Sequence, residues 1–250
     1  MKNENLTLMS FNILCDKPSD ERIERLIAMT KKYSADSIGM QEVTPYWLSF
    51  LKPALSDYEC VGLGRDGEDK GEHSCIFYNK NKLKLVETKT LWLTDTPDQV
   101  SVIPGSDYIR IVTFALLERK SDGKRFVHAN THIDYKEAAY VTQIKYLLKF
   151  AKEYAEYPMI VTGDFNCDPT TEGYATMIQN GFADSSLVAE QAVCEKTLHS
   201  MDGSPAVATI DFAFVTPEKI KVHSYKVCSE QILGGYASDH HPVLIEYSFK

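Results

Sequence analysis

The stretch Pro158–Asn166, with the sequence PMIVTGDFN, constrains the fold of this chain more than any other. Its apolar residues are too few for a helix and are followed by Gly163, so the stretch predicts a buried strand. That strand delivers Asp164 and Asn166 to its end, which is where α/β proteins place their chemistry. A carboxylate and an amide there can orient a water and hold an oxyanion. The alternative is a turn, because Asp and Asn are both common turn residues.

Length and composition suit one globular domain over residues 1–250. The chain is 44% hydrophobic and 25% charged, which is enough for a substantial buried core, and neither a repeat nor a linker divides it. Its formal net charge of -8 argues against a general affinity for polyanions such as nucleic acids, although a local basic patch stays open.

The cysteines and the N-terminal segment bear on location. The six cysteines form no CxxC pair, so they indicate free thiols in a reducing compartment rather than a zinc or redox motif. The residues after Met1 lead into only a brief apolar segment, which predicts neither a signal peptide nor a transmembrane helix. We expect a cytoplasmic monomer, and secretion with a removed signal peptide stays open.

Strands and helices alternate along the chain, and polar side chains recur where strands end. The first strand, Leu6 to Leu14, presents Asn12, and the second ends at Glu42. A later strand, Arg125 to Thr131, leads to His132. Taken singly, Glu42 has the alternative of a solvated loop charge, and His132 that of a satisfied turn or core residue.

One carboxylate lies inside an apolar strand. Asp211 falls within Ala208 to Val215, in the run IDFAF. Because a buried carboxylate costs several kcal/mol unless it is paired, Asp211 needs a partner. The natural candidate lies in the segment 238–242, with the sequence SDHHP, just before the final strand.

The middle of the chain is rich in β structure. Between Tyr58 and Thr131, β-branched and aromatic runs are separated by Gly, Asp, Asn and Pro clusters, which predicts a meander of antiparallel strands. A charged loop, 64–72, interrupts them.

The polar residues at the strand ends form one chemical set. It combines hard oxygen ligands, which suit Mg²⁺ or Mn²⁺, with imidazoles, which suit proton transfer. The set consists of Asn12, Glu42, His132, Asp164, Asn166, Asp239 and His240.

The motifs in this order resemble the endonuclease/exonuclease/phosphatase superfamily, which includes deoxyribonuclease I. The resemblance covers nearly the whole chain and is carried by SFN at 10–12, QE at 41–42, NTHID at 130–134, GDFN at 163–166, IDFAF at 210–214 and SDHHP at 238–242. The segments 71–78 and 92–97 are similar to a bacterial branch whose substrates are poorly assigned. The resemblance implies a four-layer α/β sandwich, in which two packed mixed β-sheets are flanked by helices.

The resemblance also implies roles for these residues. Glu42, with Asn12 and Asp239, would hold the divalent metal, Mg²⁺ or Mn²⁺. Asp211 would orient His240. Asp164 would position or deprotonate the attacking water, and either Asp164 or His240 can take its proton. Asn166 would bind a phosphoryl oxygen, and His132 would stabilise the transition state or serve the leaving group.

Three functions follow from the residues and the resemblance. The first is a metal-dependent phosphohydrolase that cleaves a phosphomonoester or phosphodiester by direct attack of an activated water. The second is a nuclease that acts on DNA or RNA, and the third is a non-catalytic binding protein that has kept the fold. Arg110 and Glu72 are the predicted substrate-binding residues. Arg110 would be a single phosphate contact, with a solvated surface arginine as the alternative.

Overall fold

Two β-sheets packed face to face form the centre of the computed structural model, which describes residues 5–250. The first sheet is mixed, with β1 parallel to β2 and most other pairs antiparallel. Its seven strands lie in the spatial order β10 (Gln191–Val193), β12 (Ile220–Val227), β13 (Val243–Phe249), β1 (Leu6–Asn12), β2 (Ser37–Val43), β4 (His73–Asn79) and β3 (Tyr58–Val61). Met1 to Glu4, on which the expectation of no signal peptide partly depends, lie outside the described residues.

The second sheet is also mixed, because β7 and β8 are parallel and the other neighbours are antiparallel. Its six strands lie in the order β5 (Leu83–Trp92), β6 (Ile111–Arg119), β7 (Arg125–His132), β8 (Met159–Asp164), β11 (Asp211–Val215) and β9 (Ala183–Asp184).

The helices begin where the sequence places capping residues. Side chains of Ser19, Thr44 and Thr171 accept hydrogen bonds from the first turns of three of them. The helices are α1 (Asp20–Tyr33), α2 (Pro45–Ala54), α3 (Glu137–Ala151, extended by a 3₁₀ turn at Lys152–Tyr154), α4 (Glu172–Gln179) and α5 (Ser185–Val188). No helix within residues 5–250 is long and apolar enough to span a membrane.

Three separate apolar layers hold these elements together. Phe126, Ile160 and Tyr247 belong to the layer between the two sheets. A second layer packs α1 and α2 on the first sheet, and a third packs α3 and α4 on the second sheet. Helix, sheet, sheet and helix are therefore stacked in four layers, which confirms the predicted sandwich.

The predicted meander is only half right. Strands β5, β6 and β7 form an antiparallel meander, but β4 pairs with β2 and β3 in the other sheet. The chain crosses from one sheet to the other between Asn79 and Leu83, and local sequence patterns carry no signal for that change of partner. The prediction also omitted β12.

Candidate active site

Strand ends from both sheets meet at one cleft. Parallel pairing of β1 with β2 brings Asn12 and Glu42 to the same edge of the first sheet, and parallel pairing of β7 with β8 does the same for His132 and Asp164. β11 runs antiparallel to β8, so Asp211 lies opposite Asp164. The cleft has a volume of about 280 Å³. It is lined by Cys15, Glu42, Arg65, Glu72, Tyr108, Arg110, His132, Tyr135, Asp164, Asn166, Leu198, Ile210 and His240.

Asp164 lies at the centre of the cleft. Its Oδ1 accepts a hydrogen bond from the backbone N–H of Asn166 at 2.9 Å, and its Oδ2 accepts one from Nδ2 of Asn12 at 2.9 Å. The same Oδ2 lies 3.5 Å from Nε2 of His132 and 3.8 Å from Nε2 of His240. Burial, together with the negative charge of Asp211, raises the pKa of the Asp164 carboxyl to about 7. A carboxyl with such a pKa is suited to exchanging a proton at neutral pH.

Asp211 has the partner that its position in an apolar strand demanded. Its Oδ2 accepts a hydrogen bond from Nδ1 of His240 at 2.8 Å, and both side chains are buried. Burial opposes a charge on His240, but the carboxylate of Asp211 outweighs it and raises the pKa of the imidazole to about 10. Asp211 therefore fixes the ring, with Nε2 directed towards Asp164.

Glu42 has an unusual backbone and two bound carboxylate oxygens. Its φ of 62° lies in the left-handed region, which a non-glycine residue adopts at a cost. Its Oε1 accepts a hydrogen bond from Nδ2 of Asn12 at 2.9 Å, and its Oε2 accepts one from the N–H of Cys15 at 2.8 Å. Burial opposes the charge of Glu42, but these hydrogen bonds lower the pKa of its carboxyl, so it is ionised at neutral pH.

The donor set around Glu42 fits a divalent cation. One possible ligand atom from each of Glu42, His132 and Asp164 lies within 4.8 Å of the others. No salt bridge to Glu42 occurs within the described part of the chain. Burial and the charge of Glu42 raise the pKa of the Asp239 carboxyl, so these two carboxylates repel each other. Anionic oxygen donors of this kind are the ligands that Mg²⁺ and Mn²⁺ prefer.

Asn12 and Asp239, the other two predicted metal ligands, have surroundings that differ from those of Glu42. The Oδ1 of Asn12 already accepts a hydrogen bond from Leu14, while its Nδ2 joins the carboxylates of Glu42 and Asp164. Asp239 lies at the edge of the site, with its Oδ1 4.0 Å from Nε2 of His240. Coordination by Asn12 and by Asp239 stays a prediction.

His132 and Asn166 form a second polar pair. Nδ2 of Asn166 donates to the carbonyl of Ile133 at 2.9 Å and lies 3.0 Å from Nε2 of His132. Burial and the nearby charge of Arg110 hold the pKa of His132 well below its usual value. The imidazole is therefore neutral, accepts from the amide through Nε2, and carries its proton on Nδ1.

Arg110 is not a surface residue. Its side chain is buried and lines the cleft, and its guanidinium lies 4.9 Å from the centre of the Tyr108 ring. The buried Nε of Arg110 has no hydrogen-bond partner within residues 5–250. The alternative of a solvated surface arginine is therefore wrong.

Glu72 is engaged by a residue that sequence reasoning missed. Nη1 and Nη2 of Arg65 bind the two carboxylate oxygens of Glu72, each at 2.8 Å, so the pair is bidentate. Arg65, Tyr108, Tyr135, Cys15 and Leu198 also line the cleft without having been predicted. Arg65 and Leu198 come from the loops 64–72 and 194–206, and no spacing in the sequence shows which loop residue points inward.

Comparison with known proteins agrees with this geometry. Residues 9–240 match the model of the Endonuclease/Exonuclease/phosphatase family. A Bacteroides thetaiotaomicron protein of that family has a similar structure, with a TM-score of 0.94 at 31% identity over 100% of both chains. The mannosyl-6-phosphatase of Bacteroides thetaiotaomicron superposes with a TM-score of 0.92 at 31% identity, over 98% of this chain and 100% of that one.

Curated sequences give a second group of relatives. The CCR4-Not complex 3'-5'-exoribonuclease subunit Ccr4 of Mycosarcoma maydis is 28% identical over an alignment of 243 residues. The alignment covers 71% of this chain and 36% of that protein. This chain spans between 33% and 56% of the length of the curated relatives that it matches. The family match, the fold and the cleft lead to one conclusion: this chain belongs to the endonuclease/exonuclease/phosphatase family.

Proposed function

We propose that this protein is a divalent-metal-dependent hydrolase that cleaves the phosphoester of a small molecule by direct attack of an activated water. The observation that carries the proposal is the buried guanidinium of Arg110, which has no salt bridge within residues 5–250, in the same cleft as Glu42, His132 and Asp164. The family contains relatives named as nucleases and as a phosphatase, and this supports phosphoester hydrolysis in general.

Arg110 argues for an anionic substrate. A buried charge is costly unless an opposite charge or several hydrogen bonds compensate it. Burial lowers the pKa of the Arg110 guanidinium, and no salt bridge to it occurs among the described residues. A guanidinium binds phosphate oxygens through a planar fork of N–H donors. A phosphoryl group in the cleft would thus satisfy Arg110.

The metal ligands of the proposal are Glu42 and Asp239, with Asn12 beside them. When bound, a Mg²⁺ or Mn²⁺ ion would polarise a phosphoryl oxygen and offset the charge that builds on the leaving oxygen. Asn12 holds the carboxylates of Glu42 and Asp164 through one amide group. Such hydrogen bonds keep ligands oriented before the ion arrives.

The remaining residues would handle the water and the transition state. Nε2 of His240 and Oδ2 of Asp164 lie 3.8 Å apart. Because the pKa of His240 is raised to about 10 and that of Asp164 to about 7, Asp164 would accept the proton of the attacking water at neutral pH, and the charged imidazole would stabilise the ionised carboxylate. Asp211 keeps the His240 ring in place.

In the substrate-free protein the amide hydrogens of Asn166 are bound to Ile133 and to Nε2 of His132. Asn166 would release its bond to His132 to donate to a phosphoryl oxygen as charge develops there, and His132 would serve the leaving group.

A small phosphoester is the favoured substrate class. The support is a structural relative at 31% identity that is named as a mannosyl-6-phosphatase, together with the net charge of -8. Binding to duplex DNA requires several basic residues facing phosphates. The second candidate is a ribonuclease, favoured by the 28% identity to an exoribonuclease subunit.

The location, oligomeric state and domain extent stay predictions. All six cysteines are unpaired, which supports a reducing compartment. We propose a cytoplasmic monomer with one domain over residues 1–250, and the family match over residues 9–240 supports the last point.

The proposal is tested by a substrate panel with Mg²⁺, with Mn²⁺ and with chelator. The panel contains mannose 6-phosphate, other sugar phosphates, a small phosphodiester and single-stranded RNA. Asp164→Asn is the inactive variant, and Asp168→Asn, at an exposed aspartate four residues along the same segment, is its matched control. The proposal is supported if phosphate release depends on metal and is abolished by Asp164→Asn but not by Asp168→Asn. Faster cleavage of RNA than of any small ester supports the second candidate.

A further inference from the structure

The strand that carries Glu42 is irregular just before the metal site. β2 pairs with β4 as far as Met40 opposite Cys75, and the pairing resumes at Val43 opposite His73. Gln41 and Glu42 therefore lie opposite one residue of β4, which is a β-bulge. The bulge contains the left-handed φ of Glu42 and aims its carboxylate at the cleft.

A side chain from the other sheet holds this bulge. Nδ2 of Asn130, in β7, donates to the carbonyls of Met40 and Cys75, each at 2.9 Å. Those carbonyls belong to the last regular pair before the bulge. Oδ1 of Asn130 accepts a hydrogen bond from Nε2 of Gln41 at 2.6 Å. One side-chain amide therefore binds β2 and β4 at their last regular pair and also binds a residue within the bulge.

The two sheets pack closely around Asn130. Asn130 and Gln41 are fully buried, and Thr162 of β8 donates to Oδ1 of Asn130 at 3.0 Å. A Cβ atom on Gly39 would lie 2.6 Å from Oδ1 of Asn130 and 2.4 Å from Oγ1 of Thr162. Only a glycine therefore allows β2 to come this close to the amide.

From these contacts we infer that Asn130 is a positioning residue for the metal site: it stabilises the β2 bulge and thereby the strained backbone that presents Glu42. The inference rests on the proposed role of Glu42 as a metal ligand. Asn130 does not line the cleft, so it would touch neither substrate nor metal. It acts through Met40 and Gln41, from the opposite sheet.

The experiment compares Asn130→Ala and Gln41→Met with Thr131→Val. Gln41→Met removes the bond to Asn130 from the β2 side and serves as the deciding variant if Asn130→Ala does not fold. Thr131→Val is the matched control, because Thr131 is the next residue of the same strand and its hydroxyl binds the carbonyl of Ile111 instead.

Mg²⁺ affinity is the first measurement, by calorimetry on folded protein. Loss of groups that orient a metal ligand weakens affinity by roughly 10–100-fold. We expect such a loss in Asn130→Ala and Gln41→Met, and we expect their kcat to be largely restored at saturating Mg²⁺. The Mg²⁺ affinity of Thr131→Val should stay within about twofold of wild type. Unchanged affinity in both test variants overturns the inference, since a purely structural role would lower stability alone.

Hydrogen exchange at the amides of Glu42, Val43 and Cys15 is the second measurement, in metal-free protein. We expect exchange at these amides to accelerate by about tenfold or more in both test variants while β6 and β13 stay protected. If wild type proves to bind no Mg²⁺, the proposed function fails and exchange alone decides whether Asn130 holds the bulge. Unchanged exchange at the bulge then overturns the inference.

Discussion

Asp211 and His240 lie 29 residues apart in sequence and are joined by a hydrogen bond of 2.8 Å between Oδ2 and Nδ1. Asp211 begins β11 of the second sheet, and His240 lies in the segment that leads into β13 of the first sheet. The other carboxylate oxygen of Asp211, Oδ1, is buried and has no hydrogen-bond partner within residues 5–250. The pairing with His240 is therefore the main compensation for this buried carboxylate.

A double-mutant cycle tests whether the pair works as one unit. Asp211→Asn should lower kcat nearly as much as His240→Ala, and the double variant should lose little more, because groups acting as one unit are not additive. The measurement is kcat for the three variants at saturating Mg²⁺. Losses that add would show that Asp211 and His240 act separately.

Glu42→Gln should weaken Mg²⁺ binding by roughly tenfold or more and lower turnover without unfolding the protein, because a neutral amide replaces the anionic oxygen that the ion prefers. Calorimetry measures the affinity, and circular dichroism checks the fold. Glu118→Gln, at a surface glutamate that pairs with Arg125, is the control. Wild-type affinity in Glu42→Gln would remove Glu42 from the metal site.

Arg110→Met should change activity and stability in opposite directions. Loss of the phosphate contact should reduce kcat/KM by about 100-fold, which corresponds to about 2.7 kcal/mol. The substrate-free protein should melt at a higher temperature, because the variant removes a buried charge that lacks a salt bridge to any of residues 5–250. Arg125→Met, at an exposed arginine, should do neither. A lower melting temperature in Arg110→Met would mean that the charge is compensated in the folded protein.

The pKa of Asp164 predicts how the stability of metal-free protein depends on pH. Its folded value of about 7 lies above the ordinary 3.8, so the protonated carboxyl favours folding. That contribution is complete below pH 3.8 and is lost as pH rises through about 7. Asp164→Asn cannot ionise, so its melting temperature should fall less than that of wild type between pH 5 and pH 8, by about 4 °C or more.

Comparing the melting temperatures of each protein at the two pH values cancels any pH-independent effect of the substitution on stability. Chelator must be present throughout, because a bound cation would favour the ionised carboxyl. Parallel melting curves for wild type and Asp164→Asn across this range would show that the pKa of Asp164 is not raised.

The substrate prediction is tested by direct competition in one Mg²⁺ buffer at physiological salt. Hydrolysis of small phosphoesters should exceed the nicking of plasmid DNA, because, within the described part of the chain, the cleft presents one guanidinium without a salt bridge, Arg110, and Arg65 is neutralised by Glu72. If plasmid is nicked faster than every small ester, and Asp164→Ala abolishes the nicking, the protein is a nuclease instead.

Local sequence patterns predicted the residues whose place follows from the strand that carries them. Asn12, His132 and Asp164 each end a strand, Glu42 lies one residue before the end of β2, and parallel neighbours end at the same edge of a sheet. Asp211 could be given a partner because an ion inside an apolar strand has to be compensated. The family resemblance supplied the sandwich and the roles, which periodicity alone does not contain.

The rest depended on contacts that local patterns do not encode. β12 was missed because a bulge between Val222 and Ser224 shifts the register, so Ile220 and Val222 alternate in one phase and Tyr225 and Val227 in the other. Arg65 lies in a loop, and its pairing with Glu72 and the surrounding fold direct its side chain into the cleft. Asn130 was noted only as part of a motif, since its contacts lie in the other sheet.

The division of the cleft between two sheets has an evolutionary consequence. The bonds from Asn12 to Asp164 and from His240 to Asp211 cross the interface, and both depend on how far apart the sheets lie. Apolar residues of the inner layer, such as Phe126 and Tyr247, set that separation although they lie outside the cleft. Selection for catalysis should therefore restrain the inner core as strongly as selection for stability does, while the loops 64–72 and 194–206 remain free to diverge towards new substrates.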